Sequence, residues 1–168
     1  MFKATRELIK NRQAFTKYPV VQAFNVEHKN SGKINQCFQN ACNSIDRNEG
    51  VTIVSGWLIG SFDKATGSTE IIQHYWNVNR DGTFFDTTPK HTNNVEYVID
   101  TQIMYWSQKN LSLLDSCVSS SLLYVDEKFT AVNEINGQLV FSNIKNLSVE
   151  NLFLHSLSNN QIPQKLAA

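Results

Sequence analysis

Residues 74–86 read HYWNVNRDGTFFD and place two runs rich in aromatic residues on either side of a polar turn. Runs of this composition are typical of paired β-strands. The turn between them has two plausible lengths. With two residues, Asp81 and Gly82, the pairing would point the side chain of Asp86 away from that of His74. With three residues, the turn ends at Gly82 in the left-handed conformation that glycine adopts without strain.

The three-residue turn is the expected one, and its register has a chemical consequence. It pairs Asn79 with Thr83, and Trp76 with Asp86. Because facing residues share one side of a sheet and side chains alternate along a strand, His74, Trp76 and Asp86 then lie on one face. We therefore predict that the carboxyl group of Asp86 lies diagonal to the imidazole of His74 and within reach of it.

The segment INQCFQNACNSIDRNEG, residues 34–50, predicts a helix with a cysteine at its start. Asn35 is the expected N-cap, and Gly50 is the expected end of the helix. Cys37 then lies in the first turn and off the apolar face, where free N–H groups and the helix dipole stabilise a thiolate. Four apolar residues at helical spacing predict the buried face: Phe38, Ala41, Cys42 and Ile45.

The other segments predict further helices and strands around this unit. The expected fold class is α+β, with N-terminal helices packed on an antiparallel β-sheet in a single domain over residues 1–168. The N-terminal half predicts a helix at 3–17 before Pro19, a polar loop at 25–35, and strands at 51–60, 68–78 and 83–88 with a turn at 64–67. The C-terminal half predicts a helix at 101–115, strands at 122–125, 130–135 and 138–143 with a hairpin turn at Asn136-Gly137, and a last helix from Ser148 to Leu157.

Cys37, His74 and Asp86 have the chemistry of a nucleophile, a base and an orienting carboxylate. A cysteine enzyme needs a group that takes the thiol proton and later protonates the departing amine, and a histidine does both. A carboxylate on the other ring nitrogen fixes the tautomer of the histidine. The oxyanion would meet the backbone N–H of Cys37, helped by the side chain of Gln36 or Asn35. Of the tryptophans, we expect Trp57 in the core and Trp76 at the edge of a substrate cleft.

Four short motifs between residues 30 and 90 also carry a family resemblance. In order, they are QCFQNAC at a helix start, VSGW on a strand, HYWNV on the next strand, and FDTTP. This order resembles the transglutaminase-like branch of the papain-type cysteine enzymes, which includes small bacterial and phage members. The resemblance implies a papain/transglutaminase-like core at 30–90, elaborated by the C-terminal half. It implies that Cys37 is the nucleophile, His74 the general base and acid, and Asp86 the orienting group.

The function expected from the site and the resemblance is thiol-dependent acyl transfer on an amide. Protein glutamine deamidation, amidase and peptidase chemistry remain open, because all three pass through the same acyl-enzyme. The substrate would be a protein or a peptide, with a glutamine side chain among the candidates. The alternative from another class is a non-catalytic effector or inhibitor that binds a partner protein on the same fold.

Composition argues against several other classes of protein. Lys plus Arg equals Asp plus Glu at 15 each, so no basic field draws nucleic acid to the surface. No segment has the roughly 18 uncharged apolar residues that cross a bilayer. Three cysteines fit a reducing cytoplasm, of the producing cell or of a host that receives the protein.

Neither a metal nor another cofactor is expected. A zinc site from Cys37, Cys42 and His74 would lack the paired C-x-x-C spacing of such centres. The remaining cysteines and histidines have structural interpretations, as small buried or surface residues: Cys42, Cys117, His28, His91 and His155.

Overall fold

The computed structural model describes residues 1–47, 50–89, 94–109, 121–135 and 137–152. The helices are α1 (Lys3–Gln13), α2 (Cys37–Arg47) and α3 (Thr101–Lys109), and residues 149–152 form one further helical turn. The strands are β1 (Val20–Ala23), β2 (Glu27–His28), β3 (Thr52–Gly60), β4 (Thr69–Val78), β5 (Phe84–Asp86), β6 (Val95–Asp100), β7 (Ser121–Val125), β8 (Lys128–Ile135) and β9 (Gln138–Asn143). Within the described ranges, no helix is long and apolar enough to cross a membrane.

The strands form one sheet in the order β1-β6-β3-β4-β7-β8-β9. Neighbours along this order are antiparallel. β5 adds an antiparallel contact to β4, and the two-residue β2 pairs with β5 in parallel. The predicted combination of helices with an antiparallel sheet is therefore confirmed.

Most of the predicted strands and turns are present close to their expected bounds. The turn at 64–67 is closed by a hydrogen bond from the Gly67 N–H to the Asp63 carbonyl, 2.9 Å long. The C-terminal hairpin pairs Ile135 with Gln138, and Gly137 has φ 77°, as a two-residue turn requires. Ser148 Oγ accepts the Asn151 N–H at 3.3 Å and so caps the last helical turn, as predicted. The predicted ends at 115 and 157 lie outside the described residues.

The first helix ends at Gln13, four residues earlier than predicted. The side-chain amide of Gln13 donates to the carbonyls of Thr16 and Tyr18, at 3.0 and 3.1 Å. Its oxygen accepts the N–H of Val20 at 2.9 Å. These three bonds hold the chain in a compact turn that leads directly into β1, so the helix cannot continue to Pro19.

Three strands, β1, β2 and β6, were not predicted. β6 lies between β1 and β3, so it is an interior strand of the sheet. Its sequence, VEYVID, has the β-branched content of a strand, but it follows a stretch with weak signals. β2 falls inside the predicted polar loop at 25–35, so that prediction is wrong for Glu27 and His28. Its pairing with β5 is a long-range contact that local composition does not indicate.

The three helices pack against one face of the sheet, around a core that includes Trp57. Leu8 of α1, Ala41 of α2 and Ile103 of α3 are buried in the same cluster as this tryptophan. Trp57 is fully buried, as predicted. A second buried cluster, of Ala23, Trp76 and Tyr97, contains strand residues only.

A buried ion pair ties the N-terminal helix to the sheet. Arg12 Nε lies 2.6 Å from Asp100 Oδ2, and neither side chain is exposed to solvent. The indole N–H of Trp57 donates to the same oxygen at 3.1 Å, and Arg12 also donates to the Leu147 carbonyl. A buried charge is tolerated only when it is paired and hydrogen-bonded, and both conditions are met here. The pair therefore joins α1, β3, β6 and the segment before 149–152.

Gly56, in the VSGW motif, allows β3 and β6 to approach closely. A Cβ atom built at Gly56 would lie 1.9 Å from the Val98 carbonyl oxygen and 2.9 Å from the ring of Trp76. The first of these neighbours is backbone of the adjacent strand, which cannot move without breaking the ladder. The position therefore requires glycine because of space, not because of its backbone dihedral angles.

We predict that Gly56→Ala lowers the free energy of unfolding by about 3 kcal/mol or more, because overpacking a closed site forces the two strands apart. Gly60→Ala is the matched control, since a Cβ there would have its nearest neighbour at 3.6 Å, the Glu70 carbonyl oxygen. Urea denaturation of both variants measures the difference. Equal stability of the two variants would contradict the packing argument.

Candidate functional site

The β4–β5 hairpin has the predicted three-residue turn. The Asn79 N–H donates to the Thr83 carbonyl at 3.0 Å, and Gly82 has φ 87°. Asn77 pairs with Phe85 and Val78 with Phe84. Continued by one residue, this register sets Trp76 opposite Asp86, as expected from the sequence.

This register brings His74 and Asp86 into direct contact. The distance between His74 Nε2 and Asp86 Oδ2 is 2.6 Å. The two residues are only 5% and 2% exposed, so water cannot compete for the contact. The imidazole uses Nε2 for the carboxylate, and Nδ1 is the nitrogen left for another partner. The spatial prediction for this pair is confirmed.

Cys37 is the first residue of α2 and supplies that other partner. Its thiol forms a hydrogen bond with the His74 ring. Two contacts hold the start of the helix over β4: the rings of Phe38 and Tyr75 meet edge to face at 5.1 Å, and the Asn77 amide donates to the Ala41 carbonyl at 3.0 Å. The structure thus brings together the three residues that sequence reasoning selected as nucleophile, base and orienting carboxylate.

The buried face of α2 agrees only in part with the predicted one: Ala41 is buried and Phe38 packs against the core, as expected. Ile45 is 39% exposed, while Asn40 and Ser44 are buried beside Ala41. Cys37 is partly buried and packs against the core. The face toward the sheet is therefore Cys37, Phe38, Asn40, Ala41 and Ser44, which keeps helical spacing and combines apolar with polar side chains. The expectation that Cys37 lies off the buried stripe is wrong, because polar partners on the sheet determine how the helix is rotated.

The edge of β4 is divided beside His74. β7 pairs with residues Thr69 to Ile72, and β5 pairs with Asn77 and Val78. His74 lies in the interval between these two ladders. Because no strand among the described residues pairs with β4 along this side at His74, its side chain is open to contact from a neighbouring helix as well as from a strand. The contacts of His74 with Cys37 of α2 and Asp86 of β5 use this opening.

The pKa of His74 is set by opposing effects. Burial alone lowers it, because a low-dielectric interior disfavours the imidazolium. The hydrogen bonds and negative charges of Asp86 and Cys37 outweigh burial and raise the pKa from 6.5 to about 9. At neutral pH the ring is therefore protonated, a state that suits a partner of a thiolate.

Asp86 is held by donors on both of its oxygens. Oδ1 accepts the N–H of Thr88 at 2.8 Å, a local turn that the sequence FDTTP makes possible. Oδ2 accepts the Tyr97 hydroxyl at 2.8 Å in addition to His74. Burial raises the pKa of Asp86, but His74 and these donors outweigh it, so the pKa is lowered overall and the carboxyl group stays ionised.

Asn40 connects the start of α2 to the strand that carries Asp86. Its amide accepts the Lys33 N–H at 2.9 Å and donates to the Lys33 carbonyl at 2.7 Å. It also donates to Thr88 Oγ1 at 3.3 Å. The preceding segment follows β5, since the Lys29 N–H donates to the Asp86 carbonyl at 2.8 Å. Sequence reasoning missed Asn40, although an asparagine three residues after a cysteine at a helix start, on the same helical face, is a usable signal.

Three further predicted site residues have different outcomes. Gln36 and Asn35 are exposed and precede Cys37 directly. Gln36 is the N-cap, because its carbonyl accepts the first helical hydrogen bond, from Asn40 at 2.8 Å. Asn35 adopts a left-handed backbone with φ 57°, so its predicted capping role is wrong. Trp76 is 1% exposed and stacks near His74, so its predicted place at a cleft edge is also wrong.

Comparison of the chain with protein-family models, with curated proteins and with solved structures found no match. The resemblance to the transglutaminase-like enzymes therefore stays a prediction from the sequence. Among the residues that the structure describes, no group of three or more His, Cys, Asp or Glu side chains is arranged to hold a metal ion.

We predict that replacing Asp86 by asparagine lowers the pKa of His74 by about one unit or more, because the imidazolium loses its buried counter-charge. NMR titration of the histidine ring measures this directly. Glu70→Gln is the matched control, since Glu70 is an exposed carboxylate on the same strand. An unchanged pKa of His74 in Asp86→Asn would contradict the contact.

The same pKa makes stability depend on pH. Because the folded-state pKa of His74 is raised, its stabilising effect is complete below pH 6.5 and is lost as the pH rises through about 9. The loss should be on the order of 3 kcal/mol in the wild type and smaller in Asp86→Asn. Urea denaturation at a series of pH values tests both expectations.

We predict that Asn40→Ala destabilises the protein by about 2 kcal/mol, because the backbone of Lys33 loses a buried partner for both its N–H and its carbonyl. Asn43→Ala is the control, an exposed asparagine on the same helix. Thermal unfolding compares the variants. The argument fails if the two substitutions cost the same.

Proposed function

We propose that the protein is a thiol-dependent acyl-transfer enzyme that acts on an amide, with Cys37 as nucleophile, His74 as general base and acid, and Asp86 as the orienting carboxylate. The observation that carries the proposal is the placement of a buried imidazole between the Asp86 carboxylate and the Cys37 thiol. The finer fold assignment, a papain/transglutaminase-like core, belongs to the same proposal. The order helix, β3, β4, β5 and the positions of the three groups on it support that assignment.

The first chemical step follows from the contacts of His74. The Cys37 sulfur, as a thiolate paired with the imidazolium, attacks the carbonyl carbon of the amide and forms a carbon–sulfur bond. The carbon–nitrogen bond then breaks, and Nδ1–H of His74 delivers its proton to the departing nitrogen. The products of this half-reaction are ammonia or an amine, a thioester on Cys37, and a neutral His74.

The second step returns the enzyme to its starting state. Water adds to the thioester while His74 takes one of its protons, and the carbon–sulfur bond breaks to release a carboxylic acid and the thiolate. A glutamine side chain would thus become glutamate plus ammonia. If an amine replaces water, the product is a new amide. Deamidation, peptide hydrolysis and transamidation share this thioester, and the substrate alone separates them.

The substrate must approach from the side of the helix start. His74 and Asp86 are buried, whereas Cys37 is partly exposed and Asn35 and Gln36 are exposed beside it. The backbone N–H of Cys37, in the first turn of α2, is a suitable donor for the oxyanion. The side chain of Gln36 or Asn35 is the second candidate donor. Trp76 is buried beside His74, so it offers no surface for substrate to contact.

The substrate class that fits this access is a protein or peptide amide. A carboxamide at the end of a flexible glutamine side chain can reach a partly exposed sulfur without the protein opening. The balanced charge of the chain supplies no field for nucleic acid. A free thiolate fits a reducing compartment, so the cytoplasm of the producing cell or of a host is the expected location.

We predict that iodoacetamide at about pH 6 alkylates Cys37 at least roughly tenfold faster than Cys42, because an ordinary thiol is almost fully protonated there. Cys42 is the matched control, a partly buried thiol on the same helix. Peptide mapping by mass spectrometry assigns the sites, and His74→Ala should abolish the difference. Equal, slow alkylation would favour the alternative, a non-catalytic binding protein.

The substrate itself can be sought with Cys37→Ala as a trap. The variant keeps the buried His74–Asp86 pair and cannot form a thioester, so it should retain bound substrate. Captured proteins are then treated with the wild-type chain and analysed by mass spectrometry. A one-dalton gain at a glutamine indicates deamidation, and a new chain end indicates peptide hydrolysis. If neither change occurs on any captured protein, the enzymatic proposal is rejected.

A further inference from the structure

Tyr97, on the interior strand β6, contacts Asp86 of the candidate site. Its side chain is buried, and its hydroxyl donates to Asp86 Oδ2 at 2.8 Å. This is the same oxygen that His74 contacts at 2.6 Å. The phenol and the imidazole therefore share one carboxylate oxygen, and the ring centroids of the two residues are 6.0 Å apart.

His28 holds the phenol from its other side. His28 Nε2 lies 3.1 Å from the Tyr97 hydroxyl oxygen. A phenol has one proton, and here Tyr97 uses it toward Asp86, so its oxygen accepts from the N–H of His28. β2 pairs His28 with Asp86 in parallel register, which fixes this second histidine beside the same strand. The connected groups are, in order, His28, Tyr97, Asp86, His74 and Cys37.

We propose that Tyr97 is a positioning residue for the reaction at Cys37, acting through Asp86, and that His28 fixes Tyr97 in turn. The proposal rests on the proposed function. With Tyr97 and His74 on Oδ2 and the Thr88 N–H on Oδ1, the carboxylate has no freedom to rotate. Because Oδ2 accepts from both Tyr97 and His74, it binds the imidazolium less strongly than it would without the tyrosine hydroxyl.

This weaker binding matters for the second role of His74. An imidazolium that is bound too strongly is a weak acid, and it gives its proton to the departing amine reluctantly. Tyr97 keeps its own proton throughout, because burial and then the negative charge of Asp86 raise its pKa. The groups that face His74 from the neighbouring elements are Cys37 of α2, Asp86 of β5 and Tyr97 of β6.

The test is the pKa of His74, measured by NMR titration in Tyr97→Phe. We expect it to rise by about half a unit, because the carboxylate then binds the imidazolium alone. Tyr124→Phe is the matched control: it removes the hydroxyl of another buried tyrosine, on β7 opposite Thr69, and that hydroxyl has no hydrogen-bond partner among the residues that the structure describes. That control should leave the pKa of His74 unchanged.

Two further variants separate positioning from a merely structural role. In the Asp86→Asn background, Tyr97→Phe should no longer change the pKa of His74, because no charge remains to be shared. His28→Leu, which leaves Tyr97 and Asp86 in place, should raise the pKa of His74 by less than Tyr97→Phe does. Thermal unfolding of each variant confirms that the titration reports a folded protein.

The outcomes separate this inference from the proposed function. An unchanged pKa of His74 in Tyr97→Phe, or the same rise in the Asp86→Asn background, overturns the role of Tyr97 even if Cys37 is alkylated fast. A rise that requires Asp86 supports it. If the rise is present and Cys37 behaves as an ordinary thiol toward iodoacetamide, Tyr97 still positions Asp86 and His74, and the proposed acyl transfer is what fails.

Discussion

An imidazole and a carboxylate are buried against each other where β4 meets β5, and neither charge could be buried alone. Burying an isolated ion in the protein interior costs roughly several kcal/mol of hydration free energy. Only an oppositely charged partner at short range, with further hydrogen bonds, compensates for this cost. The contact of 2.6 Å between His74 and Asp86 supplies the partner. It exists only because the turn ending at Gly82 has three residues, since a one-residue change in register would turn one of the two side chains to the other face.

The surroundings of this pair all restrict the same carboxylate. The backbone N–H of Thr88, two residues further along the chain, binds one oxygen, and the hydroxyl of Tyr97 on β6 binds the other. Asn40 ties the helix start to Thr88, so the sulfur of Cys37 and the carboxylate of Asp86 are fixed relative to each other. Preorganised groups of this kind need no rearrangement when charge develops, and that is the condition for efficient acid–base chemistry.

The fold is also stabilised by two features that make no contact with the Asp86 carboxylate. The buried Arg12–Asp100 pair and the close approach at Gly56 fix β6 against β3, and β6 in turn carries Tyr97. Loss of either feature would therefore be expected to affect the site through the position of β6, without any change in a residue that contacts Cys37. The same strand, β6, thus carries both a stabilising ion pair and a contact of the candidate site, and the sequence indicated this strand only weakly.

The sequence by itself determined the elements whose signals are local. These signals depend on neighbours within a few residues. They are the alternation of side chains in β3 and β4, the left-handed glycines at 82 and 137, the cysteine at a helix start, and the register of Asp86 opposite Trp76. Only the tertiary structure decided the rotation of α2, the burial of Trp76, and the contacts of Asn40 and Tyr97. Each of these depends on which distant residue faces a side chain, and the period of a segment carries no information about its partner. The pairing of β2 with β5 and the interior position of β6 could not be predicted from the sequence for the same physical reason.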